Sequence, residues 1–293
     1  MKKTVKLWAC IVAVVVVAGC GIAMAQTAKN ENSNKTSQSM NNNLTGTTRV
    51  LLETSLGNIE IALYNETPQH RDNFIKLVND GTYNGVLFHR VIKDFMIQTG
   101  DPDSKNASQD AMLGSGGPGY DLPAEIVYPK YFHKRGALAA ARQGDEVNPE
   151  RRSSGSQFYI VTGKRYSEYQ LQAMQERLAN QAQAAIFQQL AREHASEINQ
   201  MQMAADTVGL NKLRDELIAK TQQTYATSPV QFTASQVEAY STVGGTPHLD
   251  GQYTVFGEVV SGMEVVDKIQ NVTTGAYDRP VDSVKIITAR IMK

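Results

Sequence analysis

Beyond residue 20 the chain contains no cysteine, because Cys10 and Cys20 are the only two in 293 residues. Residues 21–293 can therefore form no disulfide and no thiolate metal site. Histidine is also scarce. The five residues, at 70, 89, 133, 194 and 248, show no ligand spacing, so no metal is expected. No charge of one sign dominates: Lys plus Arg and Asp plus Glu both total 29, which gives no electrostatic case for nucleic acid. Leu7–Ala18 is the conspicuous apolar run, and it is too short to read as a membrane-spanning helix. From Lys164 to Val208 there is neither glycine nor proline, so no ordinary helix breaker interrupts 45 residues.

What is present begins with an export-type leader. Lys2, Lys3 and Lys6 precede the apolar run. Two processing outcomes fit. Ala23-Met24-Ala25 suits cleavage before Gln26, giving a signal peptide over 1–25. Val17-Ala18-Gly19-Cys20 resembles a lipobox, in which Cys20 is lipidated and becomes the first mature residue. Either outcome predicts the cell envelope, as a periplasmic protein, with a lipid at Cys20 as the sole membrane attachment. Residues 26–47 are rich in Asn, Ser, Thr and Gln and read as a disordered tether.

An ordered domain is expected over 48–293. "RVLLETS" and "NIEIALY" alternate around Leu56-Gly57 as a β-hairpin. Thr67-Pro68 predicts a helix capped by Thr67 and ended by Gly81. Further strands are expected at "GVLFHRVI", "FMIQTG", "GALAAAR", "SQFYIVTG" and "YTVFGEVV". A helix over Met263–Gln270 and a strand in "VDSVKIITARIM" complete the chain. Many short strands with few helices suggest an antiparallel barrel. Residues 166–246 depart from this. Leu171, Met174, Leu178, Ala182, Ile186 and Leu190 recur at helical steps, and Gly209 is the first residue able to break the pattern. These residues read as an inserted α-helical hairpin, with "TASQVEAY" as a short third helix.

"FHRVIKDFMIQTGDP" (88–102) places Arg90 and Gln98 inside an apolar run. Together with "GSGGPGY" (114–120), "GSQFYI" and "HLDGQYTVFG", it resembles the motifs of the cyclophilins, peptidyl-prolyl cis–trans isomerases. The resemblance covers about 48–165 and 246–293. It implies a mainly β fold, a closed eight-stranded antiparallel barrel with capping helices. It also implies proline-containing peptides and unfolded exported proteins as partners, and no cofactor. Carried over by motif, Arg90 matches the catalytic arginine. Phe95, Met96, Ala141, Tyr159, Leu249 and Tyr253 match the proline pocket, and His248 lies at its rim. Gln98, Arg142 and Gln157 match groups that hold the peptide backbone or orient Arg90, and Gly114–Gly117 match a flanking loop. Tyr159 and Tyr253 stand where many members have Phe and His. His248 stands where cyclosporin-sensitive members often have Trp, and a weakened drug contact is expected.

The chemistry is consistent with those residue types. Rotation about a peptide bond faces a barrier of roughly 18–20 kcal/mol from C–N double-bond character. Catalysis requires neither nucleophile nor proton transfer. It requires a group that favours the twisted amide, whose nitrogen gains a lone pair, over the planar one. A permanently charged guanidinium suits this, with Gln98 expected to fix its fork. An apolar pocket holds the ring while the preceding carbonyl turns. Alone, an arginine on a strand is usually solvated and Phe95 and Met96 are ordinary core; their co-occurrence with Gln98 and "SQFY" carries the reading. His89 reads as a packed, hydrogen-bonded histidine, since no base is needed. The alternative is a binding module or chaperone, in which the barrel only docks prolines and the helices hold unfolded segments.

Overall fold

The computed structural model describes residues 46–292. The leader, Cys20 and the tether up to residue 45 lie outside the described residues. Two compact units divide the rest: residues 46–172 with 232–292, and residues 173–231.

Among the described residues the first unit holds all ten strands: β1 Arg49–Thr54, β2 Gly57–Leu63, β3 Arg90–Ile92, β4 Met96–Thr99, β5 Asp121–Leu122, β6 Ala137–Ala140, β7 Ser153–Ser154, β8 Phe158–Val161, β9 Val255–Ser261 and β10 Ile286–Ile291. Eight form one antiparallel sheet in the order β10-β1-β2-β9-β6-β8-β4-β3, and β5 pairs with β7. The sheet is a curled half-barrel. Its end strands β10 and β3 share no ladder, which corrects the expected closed barrel. The irregular chain before β3 bridges the gap: Phe88 N–H donates to Val284 O at 2.8 Å and Ile286 N–H to Val86 O at 2.9 Å.

Alternation along the strands gives the sheet two different faces. Val91, Ile97, Leu138 and Ile160 point into the main core, with Val50, Leu52, Ile59 and Ile61. Helix α1 (Pro68–Asn79) covers this core with Phe74, Leu77 and Val78, and a helix at Met263–Gln270 with Val265, Val266 and Ile269. Thr67 does not cap α1 through its side chain as expected. Its hydroxyl donates back to Tyr64 O at 3.4 Å. Glu125 instead accepts from the first free amides, Gln69 N–H at 3.1 Å and His70 N–H at 2.9 Å.

The expected hairpin is a longer series: α2 Glu168–Glu193, α3 Ala195–Met203, α4 Thr207–Thr227 and α5 Ala234–Thr242, with α6 the helix at Met263–Gln270. Within residues 173–231, Ile198, Leu213 and Leu217 form a small core with Phe187, Leu190 and Met201. The break between α3 and α4 falls before Gly209. Ala205 takes the left-handed conformation (φ 52°), while Asp206 N–H reaches back to Met201 O at 2.9 Å and Ala205 N–H to Gln202 O at 3.2 Å. This is a Schellman end closed by alanine. Asp206 then caps α4 by accepting from Gly209 N–H at 2.8 Å, so Gly209 lies inside the helix it was expected to precede. Helix α5 belongs to the sheet-bearing unit. Among the described residues no helix is long and apolar enough to cross a membrane.

Candidate functional site

The face opposite the main core gathers residues that the sequence marked as candidate site residues. In the β3–β4 hairpin Arg90 lies directly across from Gln98; Gln98 lies across from Tyr159 on β8, and Tyr159 from Ala139 on β6. One cross-strand row therefore aligns a cation, an amide and a phenol, because residues opposite one another share a face. The neighbouring row of Val91, Ile97, Ile160 and Leu138 is wholly apolar. The tight register brings Arg90 and Gln98 together although seven residues separate them.

Around this row lies a second apolar cluster. Met96, Tyr159, Val161 and Val255 are buried in it, with Phe95, Ala141, Leu249 and Tyr253 partly exposed at its surface. The structure thus brings together all six residues matched to the proline pocket. His248 stacks on Phe95 with ring centroids 5.6 Å apart, and Tyr253 meets Tyr159 edge-on at 5.9 Å. The Arg142 guanidinium lies 4.5 Å from the centre of the Tyr253 ring. Its Nε donates to Gln252 O at 2.9 Å and its Nη1 to Gln143 O at 2.8 Å. Arg142 also pairs with Asp145 at 2.6 Å, so this arginine braces the rim.

Gln98 does not hold the Arg90 fork as expected. Its Nε2 donates to Gln157 Oε1 at 3.1 Å, and Gln157 Nε2 donates to Gly116 O at 2.8 Å. The two amides anchor the glycine loop to the sheet. Arg90 instead pairs with Asp278, Nε to Oδ2 at 3.4 Å, and both side chains are nearly half exposed. Asp278 is 188 residues away in sequence and no motif marks it. Arg90, Gln98 and Arg142 border a groove of about 790 Å³ whose far walls are residues 109–114 and 275–281. Arg279 clamps those two loops together, its Nη1 donating to Ser108 O, Gln109 O and Ala111 O at 2.9–3.1 Å.

Asp101, in the "TGDP" turn after β4, organises the glycine loop. Its Oδ2 accepts from Gly114 N–H at 2.5 Å and Gly116 N–H at 3.4 Å. A Cβ on Gly116 would overlap the Asp101 carboxylate, so only glycine fits there. His89 is buried, and that burial pulls its ring down to about 4 despite the opposing pull of Asp101. It is neutral at pH 7 and packed, but neither ring nitrogen has a partner at hydrogen-bonding geometry among the described residues, which corrects the expected hydrogen-bonded histidine. No group of three or more His, Cys, Asp or Glu among the described residues could hold a metal.

The model of the family described as cyclophilin-type peptidyl-prolyl cis-trans isomerase matches residues 49–291. Peptidyl-prolyl cis-trans isomerase-like 1 of Aspergillus fumigatus is 27% identical over 248 residues, covering 84% of this chain and 96% of that protein. A Staphylococcus saprophyticus protein whose name carries the same activity is 26% identical over 247 residues, covering 84% and 92%. A crystal structure of a Cryptosporidium parvum cyclophilin-type isomerase aligns with a TM-score of 0.48 at 19% identity, covering 84% of this chain and 98% of that one. With nearly all of its described residues matched by the family model, this chain belongs to the cyclophilin-type peptidyl-prolyl cis-trans isomerases and is an enzyme of that class.

Proposed function

We propose that the Arg90 row and the apolar shelf beside it are the site at which X-Pro bonds are turned. The observation that carries this is the register: Arg90, Gln98 and Tyr159 stand side by side over Phe95, Met96 and Leu249. The proline ring sits on the shelf, where Met96 adapts to its shape. The Arg90 guanidinium is then directed at the imide nitrogen. Its interaction strengthens as the bond twists and the nitrogen lone pair localises, so it lowers the barrier and not merely the ground state. Gln98, Gln157 and Arg142 hold the strand-like peptide backbone at the rim. Asp278 orients Arg90 in the free enzyme and yields it to the substrate.

Arg90→Ala should lower kcat/KM by about 100- to 1,000-fold, the scale of losing one preorganised donor, with melting unchanged. Arg90→Lys should recover little, because a point charge lacks the planar fork. Near wild-type turnover in the alanine variant would remove Arg90 from the mechanism.

The clients we propose are exported proteins in the cell envelope, where chains cross unfolded and X-Pro isomers equilibrate slowly. The support is the basic and apolar leader and the lipobox-like Val17–Cys20. Growth of cells with a fatty-acid analogue should label the wild type and not Cys20→Ser. A mature N-terminus at Gln26 would instead establish the cleaved, unlipidated form.

A further inference from the structure

Beneath the apolar shelf runs a buried polar chain that ends on helix α5. The Tyr159 hydroxyl lies 3.0 Å from His133 Nε2, and His133 Nδ1 lies 3.1 Å from Asp250 Oδ1. The same Oδ1 accepts from the His133 backbone N–H at 2.9 Å. The other oxygen, Oδ2, accepts from Tyr240 OH at 2.6 Å and Gln236 Nε2 at 2.8 Å. Only 4% of the Asp250 side chain is exposed, and His133, Gln236 and Tyr240 are fully buried. One desolvated carboxylate thus receives four donors, two of them from α5. A buried charge is tolerable only when satisfied in this way.

The chain has a direction. With the Asp250 carboxylate at Nδ1, the proton belongs on that nitrogen, and Nε2 accepts from Tyr159. Burial, reinforced by Asp250, holds the Tyr240 hydroxyl well above the usual phenol range, so it remains a donor. Gln236 has two tasks. Its Oε1 accepts from Thr233 N–H at 2.9 Å in a capping box, and its Nε2 reaches Asp250. The start of α5 and the carboxylate are thereby fixed by one side chain. Asp250 in turn comes directly after Leu249 and precedes Tyr253 by three residues, and both of these stand in the shelf. Gly245 lets α5 approach: a Cβ there would lie 2.5 Å from the Tyr240 ring.

We infer that α5, the last helix of the excursion, is a positioning element of the isomerase site, in which Tyr240 and Gln236 act through Asp250 and His133 to set Tyr159 and Leu249. This rests on the shelf being the proline pocket. The contribution is to binding of the ring, which the planar and twisted amides share. Arg90 lies outside the chain, so the turning step itself is spared. Weakening the chain therefore raises KM and leaves kcat in place.

The test uses full-length variants in an X-Pro tetrapeptide isomerisation assay, with melting measured alongside. Tyr240→Phe keeps the ring, which packs edge-on against Phe132 and Phe232, and removes only the hydroxyl. It should raise KM about three- to tenfold with kcat within about twofold, in keeping with one lost bond to a buried charge. Its effect and that of Tyr159→Phe should be less than additive in the double variant, because they share one chain. Met96→Ala serves as the pocket control. If it raises KM while Tyr240→Phe lowers melting and leaves KM unchanged, the pocket stands and the positioning role of α5 is overturned. Fully additive effects of Tyr240→Phe and Tyr159→Phe would overturn it as well. If Met96→Ala leaves KM unchanged, the pocket assignment fails and the role of α5 fails with it.

Discussion

The two faces of β3, β4, β8 and β6 differ by a shift of one residue and by almost everything else. On one face Val91, Ile97, Ile160 and Leu138 are closed off from solvent by α1 and α6. On the other, Arg90, Gln98, Tyr159 and Ala139 form a row whose outer end is open. The same hydrogen-bond ladder fixes both. The first row is packed core, and the second carries the chemistry proposed above. The sheet can hold a half-exposed cation in place because the opposite side of each strand is firmly packed. Such a division predicts that changes one residue apart in sequence should have effects of different kind.

On the core face the largest cost should come from Ile97→Ala. Ile97 is fully buried, and truncation should remove about 2–5 kcal/mol of unfolding free energy by urea titration. The kcat/KM of the molecules that remain folded should stay close to wild type. A collapse of kcat/KM in fully folded protein would erase the division between the faces.

His89 lies beside Arg90 in sequence but turns into the protein, and it gives the comparison a pH dependence. Burial depresses its ring from the ordinary 6.5 to about 4. The unfolded chain therefore takes up a proton as pH falls below 6.5, and the folded chain does not until about 4. Stability is fully present above pH 6.5 and is lost across that window, by about 3 kcal/mol for this residue. Burial lowers His70 in the same direction. Glu66, held near 2 by Lys130 and Tyr131, stabilises fully above its ordinary 4.5 and loses that contribution only as pH falls from 4.5 toward 2. Unfolding free energies at pH 7, 5.5 and 4 should decline, and His89→Gln should flatten the slope. A wild-type slope unchanged by that substitution would contradict the assignment.

The smallest effect should come from the other compact unit. Every residue placed at the site lies within 46–172 or 232–292, and residues 173–231 have their own small core. Replacing 173–231 by a flexible linker should leave tetrapeptide kcat/KM within about threefold, since loop closure varies slowly with length. Extending the deletion through α5 should raise KM. Equal activity from both deletions would show that α5 adds nothing to the sheet-bearing unit.

Much of this was legible in the sequence where local pattern governs. Period-two alternation marks β1 and β2, a short apolar run marks β8, and the apolar spacing of Met263–Gln270 marks α6 with its observed bounds. The motif residues on strands, Arg90, Met96, Gln98 and Tyr159, share one face because register and alternation place them there. What escaped the sequence depends on distant partners or on conformations without a residue signature. Ala205 ends a helix in a geometry usually given to glycine, so an alanine-rich stretch concealed the break. Asp278 reaches Arg90 from the loop before β10, and Tyr240 reaches Tyr159 only through His133 and Asp250. The "TASQ" capping box was the one local sign that α5 is well fixed. The open sheet turns on residues 85–88, which meet 284–286 without forming a strand.

The most direct test of the account is Arg90→Ala measured beside Ile97→Ala, with kcat, KM and unfolding free energy determined for both. Arg90→Ala should lose kcat by about 100-fold or more with unfolding unchanged, and Ile97→Ala should show the reverse. An Arg90→Ala variant that unfolds more easily but turns X-Pro bonds at the wild-type rate would contradict it.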